Sequence, residues 1–191
     1  AQGTIYKYSI ESANGAIFEK GDPFAYFWEV PPRTASIVWD LHYEWDEEEW
    51  DKEKTHKNAL DAPIAIYELH FGSFRKNLEA GGRSLTYREM AEFLPNYIKE
   101  LGFTHVEFMP LMEHPFDGSW GYQKVGYFSP SSRYGNPQDF MYLIETLHRN
   151  GIGVFLDWVP SHFPSDGHGL HYYDGTFLYE HEDPKLGFHP D

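Results

Sequence analysis

Asp157 and His162 stand in the run Asp157-Trp158-Val159-Pro160-Ser161-His162, directly after a short apolar segment. A carboxylate and an imidazole at a strand end offer acceptors and a donor together, the set that holds sugar hydroxyls. The same residues also read as a carboxylate capping loop amides beside a packed histidine. A second candidate is Gly118-Ser119-Trp120-Gly121-Tyr122-Gln123. Its glycines admit a ligand close to the backbone, and Trp120 or Tyr122 can floor a sugar subsite, because pyranose C–H faces stack on flat side chains. A tight loop around a buried Trp is the structural alternative. Glu113-His114-Pro115 adds a carboxylate suited either to acid–base work or to anchoring a loop. His162, His168 and His171 invite a metal, yet their spacing fits no compact zinc signature and the chain has no cysteine. No metal and no cofactor is therefore expected. No phosphate-cradling glycine motif follows a strand and no Gly-x-Ser-x-Gly elbow occurs, which sets aside nucleotide-binding and α/β-hydrolase readings.

These residues need elements to position them. Pro63–Leu69, His105–Leu111 and Ile152–Val159 are short apolar runs of the kind buried on both faces of a parallel sheet. A helix is expected from Ser84 or Thr86 through Leu101, with Thr86 and Glu89 spaced as a capping box. Tyr87, Met90, Ala91, Leu94, Ile98 and Leu101 form its apolar stripe, Gly102 ends it, and Pro95 should kink or split it. A second helix starts near Pro137 and ends at Asn150-Gly151, with Phe140, Met141, Ile144 and Leu147 inward. Strand, helix, strand, helix, strand is the rhythm with which open doubly wound sheets and (β/α)8 barrels both begin. Sites in either lie beyond the carboxyl ends of the strands, which singles out Phe71–Phe74, Glu113–Tyr134 and Asp157–His171. The N-terminal part differs. Thr4–Ile10 alternates as a half-buried strand, Ser12–Gly15 turns into a strand Ala16–Lys20, and Ala35–Asp40 suits another, like the end of a small β-sandwich. Trp45–Asp61 reads as a charged linker and Phe163–Asp191 as a long loop.

Composition narrows the partners. The 191 residues are 41% hydrophobic and 18% aromatic, enough for one sizeable core or one domain plus part of another. A formal net charge of −15 repels phosphate backbones and anionic lipid, so no nucleic-acid or membrane partner is expected and a neutral substrate fits. The absence of cysteine suits a reducing cytoplasm. No apolar stretch approaches the roughly 18 residues of a spanning helix, and Ala1–Tyr8 has no basic start leading into an apolar run. Ala1 is not a natural initiator, so residues upstream are expected.

Taken together, Tyr67–Phe74, Met109–Gln123, Gly126–Gly135, Gly151–Phe163 and Asp174–Asp191 resemble bacterial glycogen (1,4-α-glucan) branching enzymes of the α-amylase superfamily, glycoside hydrolase family 13. The likeness covers nearly the whole chain, and the combination EHPFDGSWGYQ with LYEHEDP is specific to that branch. It implies an α/β fold: the first three strands of a truncated (β/α)8 TIM barrel over residues 62–191, a linker over 42–61, and over 1–41 the end of a starch-binding-like β-sandwich. Asp157–His162 is similar to the superfamily's first signature region, where the Asp supports the site and the His touches the sugar at the cleaved bond. Tyr122 matches the tyrosine stacked on that sugar, with Trp120 and Gln123 beside it as substrate contacts.

The reaction implied is retaining transglycosylation: a carboxylate nucleophile forms a glucosyl-enzyme, a Glu protonates the leaving oxygen, and the 6-hydroxyl of another α-glucan chain resolves the intermediate. In the family those carboxylates come from strands four, five and seven, so no catalytic residue is expected in this chain and no branching by it alone. Ser161 stands where many amylases carry an Asn directed to calcium, which argues against calcium here. The resemblance leaves oligomeric state open. Two alternatives stand beside it: a non-catalytic glucan-binding or remnant protein, and a trehalose-releasing or debranching relative, against which Glu113–Gln123 and Tyr179–Pro184 speak. With few elements to cover Val154–Val159, the isolated chain is expected to be poorly stable or to aggregate.

Overall fold

The computed structural model describes residues 1–187, so residues 188–191, the end of the Asp174–Asp191 stretch, lie outside the described residues. In chain order the elements are β1 (Ile5–Tyr6), β2 (Tyr8–Glu11), β3 (Ile17–Lys20), β4 (Phe27–Trp28), β5 (Ser36–Ile37), α1 (Glu48–Lys57), β6 (Ile66–Leu69), α2 (Phe71–Phe74), β7 (Lys76–Asn77), β8 (Arg83–Ser84), α3 (Tyr87–Glu100), β9 (His105–Phe108), β10 (Met112–Glu113), β11 (Gly126–Pro130), α4 (Pro137–Arg149), β12 (Gly153–Leu156) and α5 (Pro184–Gly187). They divide into two compact units. One joins Ala1–Asp40, Met112–Arg133 and the described part of Val159–Asp191; the other joins Leu41–Leu111 and Tyr134–Trp158.

The second of these units is built on a parallel sheet ordered β12-β9-β6. Ile66 and Gly153 both register with His105, and Leu69 and Leu156 both register with Phe108. Its helices α3 and α4 start and stop by the same devices. Thr86 and Glu89 close a capping box on α3, and Asn136 and Asp139 close one on α4, whose first residue is Pro137. At the far ends Gly102 (φ +79°) and Gly151 (φ +73°) take the left-handed turn that glycine allows. The amide of Phe103 then reaches the Ile98 carbonyl and that of Ile152 the Leu147 carbonyl. This pattern turns the chain from helix into strand within a few residues. Met90, Leu94 and Ile98 of α3, Leu143 and Leu147 of α4, and Val106 and Phe108 of β9 are fully buried.

Several expectations change here. The helix over 87–100 runs through Pro95 without splitting, with the proline on its buried side. Leu101 is 50% exposed, because as the C-cap residue it has already left the helical stripe. On α4 the buried leucines are Leu143 and Leu147, whereas Phe140, Met141 and Ile144 are half-buried. Glu145 is buried as well, accepting from the Tyr43 hydroxyl at 2.9 Å and the Asp46 amide at 2.6 Å. The third strand is shorter than its apolar run, and Phe155 and Leu156 stay about two-fifths exposed, since among the described residues β12 pairs only with β9. The charged stretch after Trp45 contains a helix, α1. Acidic residues open it, basic residues close it, and Trp50 stacks on His148 with ring centroids 4.5 Å apart. No apolar periodicity marks α1 because only Trp50 is buried.

The first unit is short strands and loops apart from α5 and a 3-10 turn over Asp117–Ser119. Sheet β1-β5-β4, hairpin β2-β3 and hairpin β10-β11 are each antiparallel. The alternation over Thr4–Ile10 is therefore two strands, β1 and β2, in different sheets. Trp28 is 2% exposed, and a Cβ on Gly21 would meet its ring at 2.1 Å, which explains glycine there. The irregular tail is tied down by polar contacts. Lys20, buried by 98%, donates to the carbonyls of Gly169 (3.2 Å) and His171 (3.0 Å), and burial lowers its ammonium below the usual lysine range. The Gly21 amide donates to the His168 carbonyl at 2.9 Å and the Tyr173 hydroxyl to the Gly21 carbonyl at 3.0 Å.

Two outcomes test this packing. Leu94→Ala should cost about 2–5 kcal/mol and Leu101→Ala less than about 0.5 kcal/mol in urea unfolding, because only the first leaves a cavity. His105 is buried at the foot of β9, with its ring nitrogens 2.7 Å from the Thr104 hydroxyl and 3.0 Å from Asn58 Oδ1. Desolvation lowers its pKa from 6.5. As pH falls through 6.5 the unfolded chain binds this proton before the folded one, so stability present above 6.5 is progressively lost below it. The drop in urea midpoint between pH 7 and pH 5.5 should shrink in His105→Gln; an unchanged drop would exclude this role.

Candidate functional site

The candidate loop hangs from a buried acid. β10 and β11 pair with a register shift between Met112 and Glu113, which opposes Glu113 to Gly126. Glu113 is 2% exposed. One of its oxygens accepts from the Ser132 amide at 2.6 Å and the other from Arg133 Nη1 at 3.2 Å. The same guanidinium donates to the carbonyls of His114 (2.7 Å) and Pro115 (3.1 Å) and lies 3.6 Å from Asp117. Burial pushes the Glu113 carboxyl up from the usual range, while the Ser132 and Arg133 donors pull it back toward the charged form. Held on every side, Glu113 anchors the loop rather than presenting a proton to a substrate.

From this anchor the chain makes a 3-10 turn over Asp117–Ser119, where the Trp120 amide bonds to the Asp117 carbonyl and that of Tyr122 to the Ser119 carbonyl, each at 3.1 Å. A Cβ on Gly118 would meet the Phe116 ring at 2.5 Å. Trp120 adopts φ +54°, a left-handed conformation that is costly for a bulky residue. Trp120 and Gln123 are exposed and Tyr122 is half-buried. Lys124, fully buried, donates to the Val159 carbonyl at 3.4 Å and sits 5.6 Å from the centre of the Tyr127 ring. Tyr127 donates to the Ser161 carbonyl at 3.3 Å. These two bonds fix the backbone just before His162, which is half-buried and also left-handed at φ +56°.

Four of the five sequence-derived residues, Trp120, Tyr122, Gln123 and His162, thus fall in one compact unit; Asp157 falls in the other. There its amide bonds to the Phe108 carbonyl at 3.0 Å, extending the parallel ladder past β12. Gln123 and Phe163, the sequence neighbours of Tyr122 and His162, line one cavity of about 490 Å³. Arg133, Lys124 and Tyr127 do the positioning, and none had been singled out. Residue type alone does not mark them, since Lys and Arg in a loop are ordinarily exposed and what sets these apart is their burial. Among the described residues no cluster of three or more His, Asp or Glu is arranged to hold a metal ion, and no helix is long and apolar enough to cross a membrane.

The class follows from comparison with known proteins. Residues 92–178 match the family model for the alpha amylase catalytic domain. Two solved structures share the architecture. One, a protein assigned as an alpha amylase from Salmonella typhimurium, aligns with a TM-score of 0.65 at 29% identity over 87% of this chain and 26% of that one. The other, a pullulanase from Anoxybacillus sp. LM18-11 complexed with maltotetraose, gives 0.62 at 24% over 85% of this chain and 27% of that one, a likeness of fold. The chain has an α-amylase-family fold.

More narrowly, it is 61% identical over 99% of its length to the 1,4-alpha-glucan branching enzyme GlgB of Aquifex aeolicus (strain VF5). It is 56% identical over its whole length to those of Albidiferax ferrireducens and Aromatoleum aromaticum. Along its whole length it is similar to 1,4-alpha-glucan branching enzymes, and it spans 30% of the length of each of these three.

The anchor can be tested alone. Arg133→Met leaves Glu113 buried without its cation and should cost about 3–5 kcal/mol in urea unfolding. Adding Glu113→Gln should recover part of that loss. A cost below about 1 kcal/mol for the single change would show that the pair does not hold the loop.

Proposed function

We propose that this chain is the α-glucan-gripping segment of a 1,4-α-glucan branching enzyme, comprising the end of a starch-binding-like β-sandwich and the first three strands of a (β/α)8 barrel. The observation that carries the proposal is the identity of 61% along 99% of the chain to a protein named for that activity. The site supports it independently. Exposed Trp120 and half-buried Tyr122 offer flat surfaces for pyranose rings, and Gln123 and His162 offer hydrogen-bonding partners for hydroxyls. Asp157, at the carboxyl end of a parallel strand in the other compact unit, is proposed separately as a carboxylate that contacts α-glucan. The charge of −15 suits a neutral polysaccharide.

The nucleophile, the acid/base and the third carboxylate of the family reaction are proposed to lie on strands beyond the three parallel ones described, so the chain binds glucan without branching it. Glu113, occupied by Ser132 and Arg133, supplies no substitute acid. Titration calorimetry with maltoheptaose should give measurable binding that Tyr122→Ala weakens about tenfold, the loss of roughly 1.4 kcal/mol, with no shift in the amylose–iodine spectrum from the chain alone. Absence of binding to any malto-oligosaccharide would defeat the reading, as would an iodine shift for the claim of inactivity.

A further inference from the structure

We infer that the cavity of about 490 Å³ beside the Trp120–Gln123 loop is an additional glucosyl subsite, one that shares Gln123 with that loop and extends the grip on a glucan chain past Tyr122 and His162. The inference rests on the reading that the chain binds α-glucan. Its walls carry Gln123, Phe163, Asp166, His171, Phe177 and Glu180, and they include none of Tyr122, Asp157 or His162. The volume falls within the range of about 300–1,000 Å³ typical of small-molecule sites.

The lining decides the class of ligand. Three carboxylates, Asp166, Glu180 and Glu182, border the cavity, and no Lys or Arg does so among the described residues. Such a field rejects sugar phosphates, nucleotides and other anions. A bound metal cation is no better served, since no group of three His, Asp or Glu among the described residues can hold one. A neutral, hydroxyl-rich ligand with apolar faces remains: the carboxylates, the Gln123 amide and the imidazole meet its hydroxyls, and the phenyl rings meet its C–H faces.

The walls are also braced before any ligand arrives. Phe163 is propped between Tyr127 and Tyr179, with ring centroids 5.9 and 5.7 Å away. Phe177 packs edge-on against Tyr172 at 5.2 Å and His171 at 6.0 Å. His171 Nδ1 lies 3.0 Å from Glu180 Oε2, and the His171 carbonyl is held by buried Lys20 at 3.0 Å. Rings and acceptors already fixed lose little freedom on binding, which favours a site over a chance hollow.

An added subsite makes affinity depend on chain length, and that is the measurement. Binding of maltose, maltotriose and maltoheptaose is compared by titration calorimetry in the wild-type protein, Phe177→Ala, Glu180→Gln and Tyr122→Ala. Phe177→Ala and Glu180→Gln should each weaken maltoheptaose about tenfold, leave maltose within about twofold, and flatten the rise of affinity with length. Tyr122→Ala should weaken all three sugars. Phe177 is 37% exposed, and Glu180→Gln keeps the shape of the site should the alanine variant fold badly. Wild-type-like maltoheptaose binding in both cavity variants, with Tyr122→Ala still impaired, overturns the subsite alone. Absence of malto-oligosaccharide binding in the wild type overturns the functional reading and this inference with it.

Discussion

A carboxylate buried as deeply as that of Glu113 has lost most of its hydration, and the fold around it is arranged to replace what water supplied. Desolvating an ion costs several kcal/mol, recovered only if its lone pairs find donors. Here the Ser132 amide and the Arg133 guanidinium provide them. The arrangement has a geometric consequence. Arg133 also reaches the carbonyls of His114 and Pro115, so the charge that needed compensation becomes a clamp at the start of the segment leading to Trp120. Gly126 is part of the same constraint, because a Cβ there would sit 3.2 Å from Glu113 Cβ and 2.6 Å from Trp28 Nε1. One buried acid thus ties the hairpin to the loop, and Gly126 leaves room beside it for Trp28.

The parallel-sheet unit was largely legible from sequence because its signals are local. Capping residues, glycines past helix ends and apolar spacing each act within a turn of chain, and Thr86, Glu89, Gly102, Pro137 and Gly151 are where those rules put them. What failed there was global. Whether Leu101 or Leu143 is buried depends on where a helix stops and which faces its neighbours cover. The helix α1 was missed for the same reason. Its stability comes from one buried tryptophan on His148 and from charges aligned with its dipole, neither of which leaves a period of 3.6.

The candidate site was legible by a different route. Trp120, Tyr122, Gln123 and His162 stand out by residue type and by motif, and they fall in one compact unit. The residues that aim them do not stand out. Arg133 and Lys124 act across the fold on backbone carbonyls, and a carbonyl has no signature in a sequence. Hydrogen bonds to backbone are the usual fate of buried side-chain donors, so this blindness is general wherever irregular segments carry the ligand contacts.

Trp120 and His162 share a left-handed backbone, with φ of +54° and +56°. A non-glycine residue in that region costs about 1–2 kcal/mol, and such strain persists only where the surroundings over-determine it. Around Trp120 the surroundings are the 3-10 turn and the Arg133 clamp; before His162 they are the bonds from Lys124 and Tyr127. Had packing been the only demand on these positions, glycine would meet it without strain, as it does at Gly121 with φ +86°. An indole and an imidazole in conformations that glycine would adopt more cheaply point to side chains needed for what they touch, in keeping with the glucan contact proposed for them.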